Sequence, residues 1–275
     1  EPIFSPHVNA LNQLYPAFCK RQIPARVIDQ GALLDGADLS ACRLLIVSHA
    51  QYLSAEVQQA LLDYAAAGGT LYLDGRSGRY DNYGRESLGL AHKAGLVPRA
   101  VPAGAAVRLP DGSRYEPANR EWLYAPLAVA AAGSRSLLNF ESGQPALAVL
   151  PYGKGKLIAG GAPLCDAGKA LDALIQPIWR EAGLEPATQC SDESLLIREW
   201  EYEGRRYLIC AYPAGPPPLV KFLLRIHGNV GVRDLLLGAD LPVVFDGRST
   251  LMEGLIPAPG GRVYELTPGA AKTSA

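Results

Sequence analysis

The segment from Cys42 to Gly75, CRLLIVSHAQYLSAEVQQALLDYAAAGGTLYLDG, constrains the fold of this chain more than any other. It reads as strand, loop, amphipathic helix, glycine stop and strand. Leu44-Leu45-Ile46-Val47 is a short apolar run without alternation, the pattern of a strand buried on both faces of a parallel sheet. Ser54 stands where an N-cap belongs, and Glu56 puts negative charge in the first turn, against the positive end of the helix dipole. Val57, Leu61, Leu62 and Ala65 then recur at helical spacing. Gly68 and Gly69 stop the helix, because glycine accepts the left-handed backbone of a C-cap. Thr70-Leu71-Tyr72-Leu73 follows as the next strand. Such a βαβ unit builds an open α/β sheet, whose ligands lie beyond the carboxyl ends of the strands. That end reads Asp74-Gly75-Arg76-Ser77-Gly78-Arg79-Tyr80-Asp81, with no cysteine and no G-x-S-x-G or G-x-C-x-G elbow.

The 275 residues have room for two modest domains, and a 48% hydrophobic, 19% charged composition is that of a globular chain. A net charge of −1 supplies no global field to attract nucleic acid or an anionic membrane. No apolar run approaches the roughly 20 residues that span a bilayer. Five cysteines (Cys19, Cys42, Cys165, Cys190 and Cys210) form no C-x-x-C pair, which argues against a disulfide framework or a zinc site and for small buried hydrophobes. The chain begins at Glu1 and its one methionine is Met252. It therefore reads as a processed chain or, given an opening helix with no strand before it, as a piece of a longer protein.

That opening helix is marked by Ser5-Pro6 and by Val8, Leu11, Tyr15 and Phe18, with Pro16 expected to kink or shorten it. Ala25 to Asp29 reads as a strand. An Arg/Gly-rich loop and a short helical piece occupy 76–100, and strands are expected at 105–109 and 136–140. The runs 146–150 and 156–160 form a hairpin around Pro151-Tyr152-Gly153-Lys154-Gly155, and a helix covers 171–182. Residues 185–192 read as a linker. Beyond it, runs at 194–202, 206–212, 220–226, 232–236, 243–245 and 261–266 alternate with turn chemistry, as in a small antiparallel β-sandwich. The tail after Pro268 is expected to fray.

The order of these pieces resembles the middle and C-terminal domains of glycoside hydrolase family 42 β-galactosidases. The resemblance is carried by RVIDQ, LLIVSHAQYLSAEVQQALLDYAAAGGTLYLDGRSGRYD, GQPALAVLPYGKGKLIAGGAP, RDLLLGAD and LIPAPGGRVYEL, and spans roughly 5–267. It implies a trimerisation domain with a class I glutamine amidotransferase-like, flavodoxin-like α/β fold. The expected architecture is a mostly parallel sheet flanked by helices at 1–186, then an antiparallel β-sandwich at 187–275. In the resembled enzymes two glutamates on a (β/α)₈ barrel do the chemistry, and such a barrel needs about 250 residues of its own. No glutamate here matches either role. The amidotransferase cysteine is also missing, since Gly75 stands at its place, so a nucleophilic triad fails at its first member.

Within that frame, Arg76, Arg79, Tyr80 and Asp81 are candidates for a sugar or subunit contact, because Arg and Asp bond hydroxyls and Tyr offers a packing face. The plainer reading of the same residues is a solvated loop. His49, at the end of the first strand, is a candidate ligand-orienting residue or a hydrogen-bonded packing residue. Trp122 and Tyr124 are candidates for an exposed or interface aromatic pair, whereas Trp179 lies on an apolar helix face and reads as core. Ser77 lacks the context of a nucleophile, Cys165 reads as packed, and Gly153-Lys154-Gly155-Lys156 lacks phosphate-loop spacing. No catalytic residue, metal site or cofactor is expected in this chain.

The reading is a non-catalytic accessory region of a β-galactosidase-like hydrolase that drives oligomerisation and shapes the substrate entrance. Its partners would be a catalytic barrel of the same parent protein, further copies of itself (a trimer, by the resemblance) and a carbohydrate substrate, not nucleic acid or membrane. A soluble, cytoplasmic chain is expected. The alternative is a stand-alone amidotransferase-like module that binds a carbohydrate or small ligand without catalysis.

Overall fold

A computed structural model gives the architecture and describes residues 6–87, 89–93, 98–100, 106–117, 124–126, 133–162, 164–186, 188–192, 194–212, 219–257, 259–269 and 272–273. The chain opens with α1 (Pro6–Lys20), which runs through Pro16 to Lys20 and is not cut short by it. Two compact units then emerge, one of residues 1–14 and 26–184, the other of 15–25 and 185–275.

The first unit carries α2 (Gln30–Leu34), β1 (Leu44–Val47), α3 (Ala55–Ala67), β2 (Thr70–Asp74) and α4 (Gly89–Lys93). It continues with β3 (Pro98–Ala100), β4 (Val107–Arg108), β5 (Arg114–Tyr115), β6 (Tyr124–Pro126), β7 (Arg135–Asn139), β8 (Pro145–Tyr152), β9 (Gly155–Gly160) and α5 (Leu171–Glu181). The main sheet has strand order β1-β2-β9-β8-β7. β1, β2 and β9 run parallel, while β8 and β7 are antiparallel to their neighbours. The sheet is thus mixed rather than mostly parallel, because the tight 145–160 hairpin forces one reversal and the β7–β8 pairing another. β3 with β6, and β4 with β5, make separate two-stranded ribbons.

The βαβ unit forms as its local signals dictate. The Ser54 hydroxyl accepts the Val57 N–H at 3.2 Å, and Gly68 ends α3 at φ 130°. Val57, Leu61, Leu62 and Ala65 of α3 pack on Leu71, Leu73 and Leu157 of the sheet. The β8–β9 turn at Gly153-Lys154 docks on the end of α3, where the Lys154 N–H donates to the Ala66 carbonyl at 2.9 Å. That turn is the expected hairpin and not a phosphate loop.

Residues 25–29 do not form the expected strand. Asp29 instead caps α2, its carboxylate accepting the Ala32 N–H at 2.7 Å, so the chain turns before it pairs with β1. Among the described residues β1 is therefore an edge of the main sheet.

The second unit contains β10 (Thr188–Cys190), β11 (Leu196–Tyr202), β12 (Arg205–Tyr212), β13 (Leu219–His227), β14 (Val230–Asp234) and β15 (Ala239–Leu241). β16 (Val244–Phe245), β17 (Ser249–Pro257), β18 (Gly260–Pro268) and β19 (Lys272–Thr273) complete it. Two five-stranded sheets, β10-β13-β17-β16-β19 and β11-β12-β18-β14-β15, share one core. Phe222, Leu224 and Met252 from the first meet Leu208, Val232 and Tyr264 from the second, the arrangement of a β-sandwich. The segment 185–192, expected as a linker, contributes β10, pinned because Thr188 is buried and hydrogen-bonded to Glu199. The tail after Pro268 supplies β19, paired parallel to β16.

Candidate functional site

The carboxyl ends of β1 and β2 meet at Asp74, which is buried. Its Oδ2 accepts the His49 N–H at 2.6 Å and the Ser48 hydroxyl at 3.2 Å. Its Oδ1 accepts the Ser77 N–H at 3.1 Å, the Ser77 hydroxyl at 3.0 Å and the Arg76 N–H at 3.2 Å. One carboxylate thus ties the loop after β1 to the loop after β2. His49 takes a left-handed backbone at φ 56°, a conformation uncommon outside glycine and held here by the Asp74 contact.

Ser77, within the same web, also lies 3.1 Å from the Val47 carbonyl and is 1% exposed. Its hydroxyl is engaged by backbone and carboxylate. The Cys165 thiol lies 3.7 Å from the His49 Nδ1, and both residues are buried. A thiol–imidazole pair is the combination that activates a nucleophile, but this one is sealed from solvent. Among the described residues no group of three or more His, Cys, Asp or Glu is placed to hold a metal ion.

The outer part of this end is aromatic and basic. Tyr52, just after β1, pairs with Tyr80 in an isolated parallel bridge, and their rings stack with centroids 5.3 Å apart at 25°. The Arg79 guanidinium lies 5.5 Å from the Tyr80 ring centroid and donates to Glu86 through Nε and Nη2. Asp81 uses its carboxylate to accept the Tyr83 and Arg85 amides at 2.8 and 2.9 Å, which shapes the loop tip. Arg85 in turn lies 5.5 Å from the Tyr83 ring centroid.

The structure therefore brings Arg76, Arg79, Tyr80, Asp81 and His49 to one end of the sheet. Of these, Arg76, Arg79, Tyr80 and Asp81 are half-buried, His49 is 3% exposed, and the Asp81 carboxylate works within its loop. Trp122 lies outside the described residues; Tyr124 is in β6, and its side chain lies outside them as well. Tyr52, Tyr83 and Asp74 were not singled out by sequence. The signal for Tyr52 was its place just after an apolar strand, on the side where the next strand's loop must return. Trp179 is buried in α5, as its helical position implied. Beside this end, a pocket of about 490 Å³ is lined by Ile28, Leu33, Leu45, Leu53, Val57 and Leu61, with Asp29 and Gln30 at its polar part.

No helix among the described residues is long and apolar enough to cross a membrane. No curated protein matches the sequence. Solved structures do match in fold. A β-galactosidase from Bacillus circulans sp. alkalophilus superposes with a TM-score of 0.71 at 20% identity, over 94% of this chain and 37% of that one. A catalytic mutant of a GH42 β-galactosidase from G. stearothermophilus gives 0.68 at 21% identity, over 93% and 36%. An α-L-fucosidase isoenzyme from Paenibacillus thiaminolyticus gives 0.67 at 10% identity, over 95% and 45%. The chain thus spans less than half the length of each. The model of the β-galactosidase trimerisation domain matches residues 5–185. With more than half of its length matched, the chain belongs to the β-galactosidase trimerisation domain family, the non-catalytic accessory region of GH42 β-galactosidases.

Proposed function

We propose that this chain assembles a longer β-galactosidase-like glycoside hydrolase into a trimer and lines the approach to a catalytic barrel in the same parent protein. The match of the trimerisation-domain model to residues 5–185 carries this reading. Carbohydrate would be the substrate of that parent, cleaved by barrel glutamates, with no part for nucleic acid or membrane and with the protein soluble in the cytoplasm. Residues 1–186 would form an amidotransferase-like domain, a reading supported by the β1-α3-β2 unit and by ligand-side loops at the carboxyl ends of its strands. Residues 187–275 would form the sandwich domain. Arg79 and Tyr80, with Arg76, Trp122 and Tyr124, would serve contacts at the substrate entrance or between subunits, while His49 and Asp81 would hold the loops in place. The stand-alone binding module is not favoured, because the matched family is one of oligomerisation.

Native mass spectrometry of the chain tests the proposal. A particle of three 29.3 kDa copies that leaves aryl galactosides intact is the expected result. A monomer at every concentration, or hydrolysis by the chain alone, overturns it.

A further inference from the structure

Strand alternation gives the β11-β12-β18-β14-β15 sheet of the second unit two distinct faces. Ile197, Leu208, Val232, Tyr264 and Leu266 point into the sandwich core. The residues between them therefore look outward, and the strand register aligns several of these in one row across the sheet. Trp200 of β11 lies opposite Tyr207 of β12, and Tyr207 lies opposite Glu265 of β18. Glu265 lies opposite Arg233 of β14, and Arg233 opposite Asp240 of β15. Tyr202, two residues along β11, shares the face with Trp200, and their ring centroids lie 6.2 Å apart at 49°. Trp200 is 60% exposed and Tyr202 56%, and neither belongs to the core. Tyr202 is opposite Arg205, whose guanidinium donates to Glu265 at 3.1 Å. Arg233 donates to Asp240 at 3.3 Å.

We propose that this row is a binding site for a neutral, β-1,4-linked oligosaccharide. Its sugar rings lie on Trp200, Tyr202 and Tyr207, and its hydroxyls bond Arg205, Glu265 and Arg233. The inference goes beyond the assembly role proposed above and does not depend on it.

Three observations select a saccharide as the occupant. First, the apolar part of the row is aromatic, with no aliphatic side chain in it. The C–H faces of a pyranose pack on such rings, and the polar tips of Tyr and Trp meet the hydroxyls around them. Second, donors and acceptors stand directly beside the rings, the combination of apolar floor and convergent polar groups that orients a small ligand. Each guanidinium is matched by a carboxylate, so the row offers no net charge to a nucleic acid or an anionic surface. A protein laid over the same row would take both ion pairs out of water, at a cost in desolvation. Sugar hydroxyls replace that water instead. Third, neighbouring positions in the row are one strand spacing apart, about 4.8 Å, close to the advance per sugar of an extended β-1,4-linked chain. The sheet fixes these positions before a ligand arrives, which lowers the ordering cost of binding.

Isothermal titration calorimetry of the full chain with β-1,4-linked tetrasaccharides of galactose, glucose, mannose and xylose tests this. The Trp200→Ala/Tyr202→Ala double variant removes the exposed rings. Tyr83→Ala is the control, since that ring is equally open to solvent but lies in the first unit. Circular dichroism confirms that each variant is folded. Saturation-transfer NMR on the unaltered chain, irradiated at its aromatic protons, reads the stacking without any substitution. The expected result is millimolar or tighter binding of at least one tetrasaccharide, with saturation passed to its ring C–H protons. Affinity should fall roughly 10-fold or more in the double variant and stay unchanged in Tyr83→Ala. If no tetrasaccharide binds, or if the double variant binds as well as the parent, the row is not a saccharide site. Binding lost in Tyr83→Ala and kept in the double variant moves the sugar to the first unit and overturns the proposal as well. The trimerisation reading survives each of these outcomes.

Discussion

The Asp74 carboxylate accepts the backbone N–H of His49 at 2.6 Å, joining the carboxyl ends of two neighbouring parallel strands. That bond and the four others on the same carboxylate hold the loops that carry the stacked Tyr52 and Tyr80. Replacing Asp74 with Ala orphans buried N–H groups and removes the restraint on a left-handed His49. A loss of roughly 3–5 kcal/mol is expected, since each unmet buried donor costs about 1–3 kcal/mol. Asp74→Asn keeps one acceptor oxygen and is expected to lose less. Urea denaturation followed by circular dichroism measures both; an Ala variant within 1 kcal/mol of the parent contradicts the role given to Asp74.

Gly155 is required by close approach of two backbones. A Cβ built there falls 2.2 Å from the Gly69 carbonyl oxygen and 2.4 Å from that of Ala65. Gly155→Ala should push the β8–β9 hairpin off the end of α3 and cost about 3 kcal/mol, the upper range for overpacking. Gly84, at φ 75° with open space around it, is the comparison. There Ala pays only for the left-handed backbone, about 1 kcal/mol. Thermal melts of the two variants should separate clearly, and equal melting temperatures would contradict the packing argument.

Acid should weaken the second unit at Asp246. Its carboxyl is held below the usual 3.8, chiefly by the Ser249 and Arg248 amides, with Arg225 adding a charged hydrogen bond. A depressed carboxyl binds its proton more weakly in the folded state. Its contribution is therefore complete above about 3.8 and drains away as pH falls through the lower folded value. Asp246→Asn should be less stable than the parent at neutral pH, and the gap should close toward pH 2 to 3. Melting temperatures taken from neutral pH down to that range give the comparison; a gap that does not change with pH removes the ionic part of the argument.

The thiols should sort by burial. Cys165 and Cys210 are buried, whereas Cys19, Cys42 and Cys190 are half-buried. Burial pushes the Cys210 thiol above its usual 9.0, with Cys190 nearby adding to the shift. Ellman's reagent at pH 8 should reach Cys165 and Cys210 only on unfolding, with all five titrating in urea. The raised Cys210 value also means that its share of stability is intact below 9.0 and falls as pH rises beyond it. Rapid native labelling at Cys210 would refute this placement.

The β1-α3-β2 unit was legible in the sequence because its signals are local. A capping serine, an apolar stripe at helical spacing and a glycine stop act within one or two turns, and the structure contains each of them. The 145–160 hairpin and α5 were legible for the same reason. Residues 25–29 carried a strand-like pattern, yet strand or coil there depends on a partner edge, and the Asp29 cap decided against pairing. The antiparallel strands of the first sheet and the three-residue β10 likewise depend on partners distant in sequence. Arg79 and Tyr80 could be named from their place after a strand. The stack of Tyr52 on Tyr80 could not, because it is made between two loops distant in sequence. Short-range capping and periodicity are written in neighbouring residues, so the elements could be read directly. Which strands become edges, which carboxylate binds two loops together and which apolar side chains remain uncovered are outcomes of long-range packing, and only the tertiary structure decided them.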